Sequence, residues 1–302
     1  SASIYLAYLS RYVGRPKFDF PLNKLLNFTW PISLSSMVDF AYIWFDRAML
    51  LAFVSLTALG VYNATMMGFS ALAGISTAIA GILLPGYSTL QGLHERERLS
   101  DVIPLAFGLM ATSKPALTLF VGPAYVEGSD PLKILSVALA FTAVIAAVNP
   151  MLLALGETRA LSVTTIVSVC LSVVAAFAFL PFWGILGASV ARAFGMAIST
   201  GLGIMFLRRR LTIRLDIQAI LKNLLAGSIM AATVAAMQVW FYSEYLLPLY
   251  ILAGLATHLI MLRLVKAVGE EDIDLLRRYF GPRLGFAVTF LGRILSPVQP
   301  RV

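Results

Sequence analysis

Apolar runs of about twenty residues, set apart by short polar breaks, recur along the whole of this 302-residue chain and constrain its fold more than any other feature. At 1.5 Å of rise per residue such a run covers the hydrocarbon core of a bilayer, about 30 Å thick. Lipid offers no partner for a free N–H or C=O, so each run must close its own hydrogen bonds as a helix. Composition agrees: 59% of residues are hydrophobic, only 13% are charged, and mean hydropathy is +0.86. A soluble domain carries about 25% charged residues. The expected fold is therefore all-α, a polytopic transmembrane bundle of about eight spans.

The runs read as 25–55 with Pro31, 60–90 with Pro85, and 102–121, the shortest. They continue as 131–155 with Asn149-Pro150 near its end, 160–181, 185–207, 219–242 and 245–265. The chain thus divides into four parts. Residues 1–24 read as the end of a preceding helix and a basic linker, which makes the chain look like a piece of a longer protein. A six-helix lobe occupies 25–207 and a further helix pair 208–268. The stretch 269–302 reads as a cytoplasmic amphipathic tail, lying on the membrane surface or packed on the bundle's cytoplasmic face.

The +8 net charge does not point to nucleic acid, because of where it sits. If the 11–24 linker is cytoplasmic, nineteen of the 23 Lys and Arg fall in cytoplasmic segments. This predicts a multi-pass protein of the cytoplasmic membrane with both ends inside. Cys170, alone in an apolar run, is expected as a small core residue and allows no internal disulfide. Small residues repeat every fourth position at Gly187, Ala191, Gly195, Ser199 and Gly203. A second series is Thr164, Ser168, Ser172, Ala176, and a third is Gly227, Ala231, Ala235. Each series shares one helix face and predicts close helix packing, or a smooth surface that slides during transport.

Catalytic signatures are missing from the sequence. It has no phosphate-binding Gly-rich loop, no His-Glu-x-x-His and no nucleophile elbow, and no outer loop is long enough for a catalytic domain. An enzyme is not expected, nor a cofactor or metal. What remains are charges within spans: Asp39, Asp46 and Arg47 in the first, Lys114 in the third, Arg192 in the sixth. Each costs about 2.5–3.5 kcal/mol at mid-bilayer, so each should face the bundle interior or a wet cavity. Asp39 and Asp46, two turns apart, share a face. Two readings stand side by side. The charges pair helices structurally, or Arg47, Lys114 and Arg192 form a cationic substrate cavity with Asp39 or Asp46 taking a coupling ion.

Several stretches resemble the polysaccharide and lipid-linked-oligosaccharide flippases of the multidrug/oligosaccharidyl-lipid/polysaccharide exporter superfamily. They are Trp44-Phe45-Asp46-Arg47-Ala48-Met49-Leu50, Gly60-Val61-Tyr62-Asn63-Ala64, Pro85 with Ser88, and Gly122-Pro123-Ala124-Tyr125. Asp130-Pro131-Leu132-Lys133-Ile134-Leu135, Leu155-Gly156-Glu157-Thr158 and Gly184-Ile185-Leu186-Gly187-Ala188 continue the series. Glu270-Glu271-Asp272 before Leu275-Leu276 ends it. The resemblance implies the second lobe of a two-lobed exporter with its trailing helix pair. It also implies a lipid-pyrophosphate-linked glycan as substrate, alternating access as mechanism, and the missing N-terminal half as partner beside the membrane lipid. An ion-coupled drug or peptidoglycan-lipid exporter and a non-transporting scaffold remain as alternatives. A membrane-embedded sugar polymerase would need a larger outer loop.

Overall fold

The computed structural model describes residues 22–89, 98–210 and 217–265, all in helices and the short turns between them. Seven α-helices occur among them. α1 is Leu22–Phe53, α2 Leu56–Thr89, α3 Arg98–Phe120, α4 Ser129–Ala154, α5 Thr158–Arg208, α6 Ile217–Trp240 and α7 Leu247–Leu264. Short 3₁₀ elements at Pro123–Gly128 and Glu244–Leu246 lead into α4 and α7. Among the described residues, four segments are long and apolar enough, by length and composition alone, to cross a membrane. They are Pro123–Ala154, Thr158–Arg208, Leu221–Trp240 and Glu244–Leu264. Of the expected stretch 1–24, residues 22–24 belong to α1, and residues 1–21 and the amphipathic tail lie outside the described residues.

α5 is two expected spans joined. Its 51 residues would make a rod of about 75 Å if straight. Instead the backbone leaves helical geometry at one residue, Gly184, with φ 53° and ψ −131°. The second arm then folds back on the first. Ser172 Oγ donates to the carbonyl of Ala191, 3.0 Å away, and a Cβ placed on Gly195 would stand 2.8 Å from Ser172 Cβ. Pro181, three residues upstream, lacks the N–H that would continue the first arm's ladder. A Cβ at Gly184 would have open space but a strained backbone. Gly184→Ala is therefore expected to cost about 1–3 kcal/mol, read as a lower thermal midpoint in detergent with no change in oligomeric size.

Small residues set how closely the helices approach. Thr164, Ser168, Ser172 and Ala176 are all buried along the first arm of α5, and Gly187, Ala191, Gly195 and Gly203 along the second. Gly203 meets α4, where an added Cβ would lie 2.9 Å from Val148 Cγ1. Gly227 on α6 is pressed against Phe107 of α3, 2.6 Å from an added Cβ. The third series is only half used, because Ala235 is exposed. Cys170 is a correction: it is exposed on α5 rather than in the core. It lies between Ser168 and Ser172, whose face meets the second arm, and two residues turn a helix by about 200°.

Among the described residues four apolar clusters tie the helices together. Phe69, Ala106, Leu109, Leu117, Leu132, Leu135 and Leu139 join α2, α3 and α4. Leu50, Tyr62, Leu180 and Ala188 close one end of the bundle where α1 meets α2 and α5 turns. Val148, Leu152, Ala160 and Leu207 close the other end. Met49 packs with Ala175, Ala176 and Ala191 between α1 and both arms of α5. α6 packs on α3, and α7 on α6, so the last pair is an addition to one side of the bundle.

Candidate functional site

From Pro31 to Met49 one face of α1 is turned onto α5. Ser35, Asp39, Tyr42, Asp46 and Met49 recur at alternating intervals of four and three, which keeps them on a single stripe. At one end Ser35 Oγ donates to Ser162 Oγ at 2.9 Å, and Ser162 in turn reaches the Pro31 carbonyl. Pro31 is buried, and α1 runs through it. Tyr42 Oη and Ser172 Oγ are 2.6 Å apart. Asp46 accepts at Oδ2 from Arg192 Nη1 and from the Tyr62 hydroxyl, both at 3.2 Å. The Arg192 guanidinium also lies 5.6 Å from the Tyr42 ring centre.

This set draws α1, α2 and both arms of α5 into one network. Asp46 is only 8% exposed and Tyr62 2%. Arg192 Nε is buried without a partner among the described residues, an unused donor at the centre of the network. A pair this enclosed gains from its short distance and loses solvation of both ions. Its hold on the fold shows mainly in the cost of removing one member, since the other is then a buried charge alone.

The five charges singled out in the sequence do not form one cluster. Asp46 and Arg192 are joined, and Asp39 lies on the same stripe, near enough to feel the Arg192 charge. Asp39 is exposed and has no hydrogen-bonded partner among the described residues. Arg47 points off the stripe, exposed, over the Trp44 ring at 5.5 Å. Lys114 belongs to another seam. It is exposed on α3 with its ammonium 4.8 Å from the centre of the Tyr242 ring, just past α6. Neither Arg47 nor Lys114 has a carboxylate partner among the described residues. Tyr42, Tyr62 and Ser172 were not singled out as site residues. The readable signal was the four-three spacing around Asp39 and Asp46, which includes Tyr42.

No protein-family model matches the chain. A curated relative does. The "probable low-salt glycan biosynthesis flippase Agl15" of Haloferax volcanii is 24% identical over 207 residues, which cover 65% of this chain and 44% of that protein. Among solved structures, a lipid II flippase, MurJ, in an inward-closed conformation superposes with a TM-score of 0.69. It covers 88% of this chain and 59% of MurJ at 16% identity. The chain shares the fold of that part of MurJ. A MOP-superfamily transporter from Pyrococcus furiosus aligns at a TM-score of 0.48. The chain spans less than two thirds of either of the first two. The resemblance seen in the sequence motifs is thus met twice, by a flippase in sequence and by a flippase in fold. Within that fold the Asp46–Arg192 network lies in the seam of α1 with the α5 hairpin.

Proposed function

We propose that this chain is part of a flippase that moves a lipid-pyrophosphate-linked glycan across the cytoplasmic membrane by alternating access. The observation that carries the reading is the sequence likeness to a protein named as a glycan biosynthesis flippase. The flippase fold is consistent with it but does not name a substrate. In this reading a further set of helices, supplied by the rest of the protein or by a second chain, faces this bundle across the substrate path. Arg47 and Lys114, exposed and without carboxylates among the described residues, offer cations to a pyrophosphate, the first as a planar fork and the second as a point charge. Arg192 contributes through its unused Nε or through its hold on α1. Of the two carboxylates, Asp39 is the one open to a coupling ion, because Asp46 already holds a guanidinium.

Complementation tests this. The complete gene product is expressed in a strain lacking its own glycan flippase, and surface glycan is measured. Arg47→Ala and Lys114→Ala are expected to reach the membrane in normal amounts and to cut surface glycan at least tenfold. Full restoration by both removes them from the substrate path.

The orientation belongs to the same proposal. The turns at Pro123–Gly128 and at Ser243 would face outward, and the Arg208-Arg209-Arg210 end would face the cytoplasm. In a Cys170→Ala background, cysteines at Asp130 and Ser243 are expected to react with an impermeant maleimide in intact cells. A cysteine at Arg208 is expected to react only after lysis. Labelling of the Arg208 position in intact cells would reverse the topology.

A further inference from the structure

Away from the α1 seam, at the opposite end of the α5 hairpin from Gly184, a cleft of about 480 Å³ opens between the two ends of α5. Glu157, Arg159, Ala160 and Val163 form one wall, and Phe206, Arg209 and Arg210 the other. Three arginines and one glutamate thus line one cleft. That carboxylate is already committed, with Arg210 Nη2 2.5 Å from Glu157 Oε1. The Arg209 guanidinium lies 5.3 Å from the centre of the Phe206 ring. That contact steadies the charged group and leaves its N–H edges for another acceptor. Arg159 is exposed and has no ion-pair partner among the described residues. Below this basic rim the lining turns apolar: Ala160, Val163 and Phe206, with Val163 46% exposed.

Topology alone accounts for basic residues after a span. It does not account for a cleft that gathers guanidiniums from both ends of a hairpin, about 50 residues apart in sequence, above an apolar floor. A soluble anion would use the rim and leave the floor in water. An apolar ligand would use the floor and leave two guanidiniums without an anion. A phosphate ester on a hydrocarbon chain uses both, and basic pockets at membrane depth suit such head groups.

We propose that this cleft is a binding site for the phosphate head group of an anionic phospholipid. Arg159 and Arg209 clamp the phosphate, Arg210 closes the rim through Glu157, and the first acyl carbons run over Val163 and Phe206. The site does not depend on what the protein transports. It would fix the two ends of the hairpin to the cytoplasmic leaflet, the end away from the Asp46–Arg192 network.

The test measures retained lipid by native mass spectrometry on the complete protein in detergent, titrated with phosphatidylglycerol or phosphatidylcholine. Tight binding of phosphatidylglycerol and at least tenfold weaker binding of phosphatidylcholine are expected. Arg159→Gln with Arg209→Gln should weaken phosphatidylglycerol at least tenfold, and Arg209→Gln alone, which leaves the Arg210–Glu157 bridge intact, about threefold. Arg263→Gln, the same charge change as the single cleft variant but on α7, should leave binding unchanged. Inorganic phosphate at millimolar concentration should not displace the lipid. Three results overturn the proposal: equal losses in the Arg263 variant, no loss in the single and double cleft variants, or displacement by phosphate alone. If the double variant does not fold, the single one decides.

Discussion

Arg192→Met is expected to reduce the yield of folded, monodisperse protein in detergent to a small fraction of the parent's. Removing one member of a buried ion pair leaves the other as an uncompensated charge, at a cost of about 3–5 kcal/mol. Here the charge left behind would be Asp46, 8% exposed, with only the Tyr62 hydroxyl at 3.2 Å for support. Total stabilities of single domains are about 5–15 kcal/mol, so one such loss removes a large part of the margin. Asp46→Leu should be as harmful, since it strands a guanidinium that already carries one unpartnered Nε. The double variant Asp46→Leu, Arg192→Met removes both charges and should recover most of the yield, because apolar pairs commonly match or exceed the ion pair they replace. Thermal melting detected by size-exclusion fluorescence reads all three. If both single variants melt with the parent, the pair contributes nothing to the fold. The double variant then also divides the two readings of these charges. A folded double variant that restores surface glycan makes the pair a structural fastener between α1 and α5. One that folds but does not transport gives the pair a part in transport.

The sequence left that division open for a physical reason. The apolar runs located the helices well because run length and polar breaks are local properties. The expected 131–155 became Ser129–Ala154, with Asn149-Pro150 near its end, and 219–242 became Ile217–Trp240. The break between 181 and 185 was also found. Its form was not, because a one-residue reversal at Gly184 and a short loop leave the same Pro-and-Gly trace in sequence. The fourfold spacing of small residues marked helix seams, but not their partners. Gly195 meets its own hairpin while Gly203 meets α4. Charge pairing was the least legible. Asp46 and Arg192 are 146 residues apart, and nothing local says that Asp46 takes Arg192 while Arg47, next to it, turns out over Trp44. Lys114 was grouped with the other cations by depth alone, yet its neighbour is Tyr242 on a different seam. Depth is a property of sequence position along a span. Direction around the helix axis depends on tertiary packing.

Gly195→Leu is expected to have the other large effect, and that packing is the cause. An added Cβ at position 195 would sit 2.8 Å from Ser172 Cβ, 2.9 Å from Ser172 Oγ and 3.4 Å from the Ser168 carbonyl. These are contacts between the two arms of one hairpin, which Gly184 and the Ser172–Ala191 hydrogen bond hold together. Neither Ser172, held also by Tyr42, nor the Ser168 backbone can give way by a simple rotamer change. The arms must separate, and the rest of a leucine side chain would hold them apart. Overpacking costs about 1–3 kcal/mol where the surroundings relax, and more where they do not. Separation would also break the Ser172–Ala191 bond and move Arg192, three residues from the substitution, away from Asp46. Gly195→Leu should therefore lower the thermal midpoint by more than Gly184→Ala does. Its loss should also be less than additive with that of Arg192→Met, because the first change already disturbs what the second removes. Gly201→Leu on the same arm is the control. Gly201 is exposed with open space around an added Cβ, so its variant should melt with the parent. Equal melting of the Gly195 and Gly201 variants would mean that this face of the second arm meets lipid and that the hairpin seam lies elsewhere.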